Sequence, residues 1–143
     1  TGVSTEPVLR IVVRDLYETT GVRVHTADVR ELGAKARGRL KQRFGGHGDE
    51  SETSVILAID KAAVRMDLAS PDYGHEAPKT VFYTPTIFDA APDSGPDYSA
   101  TGVRGDPSLA TAEVGNAILA AMADELVMGL EILFASAFDR ASG

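Results

Sequence analysis

The chain has 143 residues, a formal net charge of −7, 43% hydrophobic residues and no cysteine. That is enough sequence and apolar content for one domain with its own core, which excludes a disordered tail. The acidic balance argues against nucleic acid or an anionic membrane surface as partner, since both select clustered Lys and Arg. The missing cysteines exclude disulfides and thiolate metal ligands and fit a cytoplasmic home. No apolar run approaches membrane-spanning length, and no signal peptide is expected.

In chain order, Pro7 is expected to open a helix running to about Thr19, with Val8, Ile11, Val12 and Leu16 as its apolar stripe and Gly21 ending it. Val22 to His25 alternates like a short strand. Residues 29–43 carry Arg30, Lys35, Arg37, Arg39, Lys41 and Arg43 with few apolar positions, the pattern of a solvated helix or loop with a basic face. A further helix is expected from about Glu52 to Ala63, where Val55, Ile56, Leu57 and Ile59 follow an acidic start. Five prolines between residues 70 and 100 rule out a long helix there, and Thr80–Thr84 with Thr86–Phe88 reads as a possible hairpin. From Ser108 to about Ala137 a long amphipathic helix is expected, with Ile118, Leu119, Met122, Leu126, Leu130, Leu133 and Phe134 at helical spacing and Met122 and Met128 filling core. Gly115 and Gly129 weaken that helix unless another surface comes close to them. Alternating strands and helices suggest an α/β layered fold.

The densest chemistry lies just ahead of the middle helix. His47, Asp49, Glu50 and Glu52 place one imidazole and three carboxylates within six positions, a composition suited to metal or acid–base work. The same residues also suit a solvated acidic first turn, because carboxylates favour a helix N-terminus, and Ser51 or Thr53 is available as cap. Spacing leaves both readings open.

The run His47-Gly48-Asp49-Glu50-Ser51-Glu52-Thr53-Ser54, continued by Ile56-Leu57-Ala58-Ile59 and Val64-Arg65-Met66-Asp67-Leu68-Ala69, resembles the H-A-G-E-x-E-T-S…L-A…V-x-M-D-L-A stretch of the creatininase (creatinine amidohydrolase) family. A second block, Thr101-Gly102-Val103-Arg104-Gly105-Asp106-Pro107-Ser108-Leu109-Ala110-Thr111-Ala112-Glu113, is similar to the T-G-V-x-G-D-P-S-x-A-T-A-E signature of the same family. Two long blocks in the right order are far more specific than one short motif.

The resemblance implies a layered α/β fold with a mostly parallel sheet flanked by helices, of which residues 1–143 would form only the second half. It implies an amidohydrolase acting on a non-peptide or cyclic amide C–N bond through water activated by a divalent pair (Zn, Mn or Fe). His47 would shuttle the proton or contact the substrate, Glu52 would reach the metals, and Glu50 would stand beside them as a catalytic-pocket residue. Asp49 replaces a usual Gly, and Ser51 a usual aromatic or apolar residue. The remaining ligands are expected from a second polypeptide carrying the first half, in a higher oligomer. Val3 stands where the family has a ligand His in its N-G-H-x-x-N segment, which suggests as alternative a non-catalytic stabilising or regulatory subunit of an active homologue. A weaker alternative is a self-cleaved product with Thr1 as N-terminal nucleophile. Asp106 is expected to form a turn, and His25 and His75 to be surface residues.

Overall fold

The computed structural model describes residues 2–74, 81, 89, 91–94 and 98–135. They form four α-helices, α1 (Gly2–Thr20), α2 (Ala34–Arg37), α3 (Glu50–Ile59) and α4 (Ala112–Leu133), with 3₁₀ turns at Lys61–Ala63, Met66–Leu68 and Pro107–Leu109. The expected layered α/β architecture with a mostly parallel sheet is overturned, because the described residues are helical and form no sheet. Among the described residues β pairing is confined to isolated bridges, His47 with Arg104, Asp72 with Gly105 and Asp89 with Tyr98. The local reason is visible in the backbone. Gly48 follows His47 with φ +56° and Gly105 itself has φ +138°, left-handed conformations that turn each segment away after a single rung. The residues expected to form the hairpin lie outside the described residues, apart from an exposed Val81, and so does His75.

The chain divides into two compact units, one of Thr1–Ala34 and Ala121–Gly143, the other of Lys35–Ala120. In the first unit, α1 is longer than expected and contains Pro7 rather than starting on it. Its end is as expected: Gly21 has φ +72° and donates its N–H to the Tyr17 carbonyl at 2.9 Å. The stretch after it, Val22 to His25, has no regular secondary structure, so the expected strand is absent there. The His25 ring meets Phe134 edge to face at 5.7 Å. Val8, Ile11 and Val12 on α1, and Leu126, Met128, Leu130 and Leu133 on α4, are exposed rather than buried, which corrects the core-filling role expected of Met128. Arg30 grips Asp28 through both side chain and backbone amide and holds its carboxyl down at about 2.

The second unit holds the buried core. Ala36, Leu57, Ala110 and Ile118 supply its apolar part, and Ser54 is fully buried in the same unit. At Gly115 a Cβ would fall 1.9 Å from the Ser54 carbonyl oxygen, so α3 and α4 touch backbone to backbone where only hydrogen fits. Ser54 Oγ accepts the N–H of Thr111 at 3.1 Å, and Thr111 Oγ1 accepts that of Val114 at 3.2 Å, which caps α4. The helix starts later than Ser108 because Asp106 first caps the Pro107–Leu109 turn. Likewise α3 ends at Ile59, before Ala63, because Asp60 caps a new turn through the Ala62 N–H at 2.9 Å. No helix among the described residues is long and apolar enough to cross a membrane.

Candidate active site

The two resemblance blocks meet in the second unit. Asp49 begins α3: its Oδ1 accepts the N–H groups of Ser51 and Glu52, both at 2.9 Å. The cap is therefore Asp49, not Ser51 or Thr53, and its charge also suits the positive end of the helix dipole. Ahead of it, His47 exchanges backbone hydrogen bonds with Arg104, its N–H donating at 3.3 Å and its carbonyl accepting at 2.7 Å. Gly105 does the same with Asp72, at 2.8 and 3.0 Å. The second block thus lies between the loop carrying His47 and the segment carrying Asp72, one rung to each.

Asp72 anchors the far side. Burial would raise its pKa, but hydrogen bonds from Thr101 Oγ1 (2.8 Å), the Gly74 N–H (3.0 Å) and Ser99 Oγ (3.2 Å), with the charge of Arg104, outweigh that and hold it below the usual carboxylate value. Tyr73 follows directly. Its ring meets Phe44 at 5.0 Å and carries the Arg43 guanidinium at 4.2 Å, a cation–π contact beside the second block.

The three candidate residues part company. Glu50 is only 1% exposed. Its Oε2 accepts the backbone N–H groups of Lys41 and Gln42, both at 2.8 Å, while its buried Oε1 has no hydrogen-bond partner. It therefore sits under the loop rather than facing a pocket with His47. Glu52 and His47 are exposed and approach each other, Glu52 Oε2 to His47 Nδ1 at 4.0 Å. The same Glu52 oxygen accepts the Gly48 N–H at 2.7 Å, a variant of the capping box that braces the loop just ahead of the cap. Asp49, which stands where the family has Gly, is 6% exposed and points into the clasp. Asp106 is a turn former as expected, its Oδ1 accepting the Ser108 N–H at 3.1 Å. Thr1 and the side chain of Val3 lie outside the described residues.

Sequence reading missed Gln42. Its side-chain Nε2 donates to Asp49 Oδ2 at 2.9 Å, and its Oε1 accepts the N–H groups of Glu50 and Asp106, both at 3.1 Å. One amide joins three segments. Gly45 and Gly105 make room for it: a Cβ at Gly45 would lie 2.3 Å from Gln42 Nε2, and one at Gly105 2.7 Å from Gln42 Oε1. A lone Gln in a basic run carries no local signal of such a role. Glu50 was better marked, since Glu50, Ser54 and Leu57 fall at i, i+4 and i+7 and are the buried stripe of α3, whereas Glu52 is off it.

Tested against a divalent pair, the described residues contain no group of three or more His, Asp or Glu side chains able to hold a cation. Glu50 is folded inward and Glu52 already serves Gly48. These residues alone do not fit a two-metal centre; His47 Nδ1 and Glu52 Oε2 stand 4.0 Å apart.

What the geometry defines is a clasp of two signature segments around a capped helix, with an imidazole on the outer loop. The family model for creatininase, described as creatinine amidohydrolase, matches residues 3–130, and the chain belongs to that family. Membership suggests an amidohydrolase-type function, and members are generally metal-dependent. No curated protein and no solved structure matches the chain.

Proposed function

We propose that the chain is a subunit of a metal-dependent amidohydrolase that cleaves a non-peptide or cyclic amide C–N bond. The single observation that supports this best is the clasp itself. His47 is exposed on a loop pinned at Arg104, with the Glu52 carboxylate 4.0 Å from its Nδ1, and an imidazole so held can give a proton to a leaving nitrogen. The chain would correspond to the second half of the family's domain. A second polypeptide would bring the remaining ligands of a Zn, Mn or Fe pair. The exposed apolar residues of α1 and α4 agree with a covered surface in an assembly.

The test uses the chain with whatever polypeptide co-purifies, measuring metal content and hydrolysis of a panel of cyclic amides, creatinine included. His47→Ala should leave assembly and metal content near wild type and slow hydrolysis by about a hundredfold or more, the contribution expected of a positioned acid–base group. Unchanged turnover would sink the catalytic role. The second reading, a non-catalytic stabilising or regulatory subunit, is favoured by one specific observation: Glu50 and Glu52 both spend carboxylate oxygens on backbone N–H groups of the chain itself. Unchanged turnover of His47→Ala is what that reading requires.

A further inference from the structure

We infer that Gln42 is the positioning residue for His47, acting through Asp49 and the second signature block without touching the imidazole. The inference rests on the catalytic role proposed for His47 and adds to it the residue that sets where the imidazole stands.

Besides the Gly48 N–H held by Glu52 at 2.7 Å, the His47 loop is tied at two points that lead back to Gln42. At its far end Asp49 is held by the Gln42 amide nitrogen at 2.9 Å. In its middle, the His47 backbone pairs with Arg104. The Arg104 segment is in turn held through the Asp106 N–H by the Gln42 amide oxygen at 3.1 Å. The same oxygen accepts the Glu50 N–H at 3.1 Å, so both ends of one amide are committed. Gln42 is itself pinned through its own N–H on Glu50 Oε2 at 2.8 Å. Gln42 thus bonds both to the start of α3 and to the second block at Asp106. If Gln42 lets go, the loop and the second block lose their shared anchor, while the α3–α4 contact at Ser54 and Gly115 is untouched. The Asp at position 49 is what makes this possible, because a Gly there would offer the amide nitrogen no acceptor.

The chemistry supplies its own control. Gln42→Glu replaces the donor with a carboxylate facing the Asp49 carboxylate, which repels. Asp49→Asn keeps a cap oxygen for Ser51 and Glu52 but turns an NH₂ toward the Gln42 NH₂, two donors with no acceptor. Together the two changes restore the pair: the new amide at position 49 donates to one oxygen of the new carboxylate at position 42, whose other oxygen still accepts from Glu50 and Asp106.

The experiment is native-state amide exchange on the full chain with its co-purifying polypeptide, for wild type, the two single variants and the double variant, with hydrolysis measured in parallel. In each single variant the His47 and Arg104 amides, which are paired in the ladder, should exchange about tenfold faster or more, while the Ile118 amide in α4 keeps its protection. The double variant should return both amides to near wild type. In turnover, the single variants should lose kcat rather than raise KM, with recovery in the double variant. A merely structural role would speed exchange at Ile118 as much as at His47, and that result overturns the inference, as does a double variant that recovers nothing. Because exchange needs no substrate, failure of every variant to hydrolyse an amide counts against the proposed function alone.

Discussion

Two glycines on one helix should respond to the same substitution with opposite sign. Gly115 and Gly129 both lie inside α4, so Ala at either position gains about 1 kcal/mol of helix propensity. Their surroundings differ. At Gly115 the added methyl would lie 1.9 Å from the Ser54 carbonyl oxygen, 2.4 Å from its carbon and 2.9 Å from the Ala58 Cβ. The first two are backbone atoms of α3 that cannot swing aside, so the helices must separate at their closest point. Overpacking of this kind costs about 1–3 kcal/mol or more; a backbone contact falls at the upper end, leaving Gly115→Ala about 2 kcal/mol less stable. At Gly129 nothing among the described residues lies within 4 Å of the added carbon, and Gly129→Ala keeps most of the propensity gain, roughly 0.5–1 kcal/mol. Urea unfolding followed by circular dichroism measures both, and in a thermal scan Gly115→Ala should lower Tm by about 4–8 °C for a chain near this size. A Gly115→Ala variant as stable as wild type would refute the backbone contact between α3 and α4.

Glu50→Ala should destabilise the chain by about 1–3 kcal/mol in urea, because two part-buried N–H groups, those of Lys41 and Gln42, lose their acceptor. Glu50→Gln, which keeps an oxygen for them, should cost clearly less, and equal losses would dismiss the acceptor role. Asp72 has its pKa depressed in the folded state, so its contribution is present above the unfolded value near ~3.9 and is lost as pH falls through the folded one. Thr101→Ala removes one of the lowering hydrogen bonds, so acid unfolding should begin at a higher pH than in wild type; an unmoved acid limb would contradict this.

How much was legible depends on distance along the chain. The middle helix and the turn at Asp106 could be read because their determinants are neighbours, Asp106 capping a residue two positions on; the helix cap itself was expected at Ser51 or Thr53 and is Asp49. The two signature blocks could be recognised as blocks. Their mutual clasp could not be derived from spacing, because it rests on Gln42 reaching Asp106 across 64 positions and Ser54 reaching Thr111 across 57. The mostly parallel sheet was expected from the family resemblance, and among the described residues pairing stops at isolated rungs such as those of His47 and Gly105. Val22 to His25 has the alternation of a strand and finds no neighbouring strand to pair with. Glu50 and Glu52 look interchangeable as carboxylates, and only the helical stripe running through Ser54 and Leu57 tells the buried one from the exposed one.

The clasp also governs how the second unit can form. α3 has ten residues, fewer than the roughly 12–15 an isolated helix needs in water, so it has little persistence until the second block reaches it. That meeting closes a loop of 57 positions between Ser54 and Thr111, and closure entropy rises only logarithmically, about 0.6 kcal/mol for each doubling of length. Adding or removing a few residues between the blocks therefore changes the equilibrium little, whereas weakening the junction removes the reward that closure waits for. Folding of this unit should accordingly be a single late event of high contact order, in which α3, the His47 loop and the first turn of α4 gain their structure together.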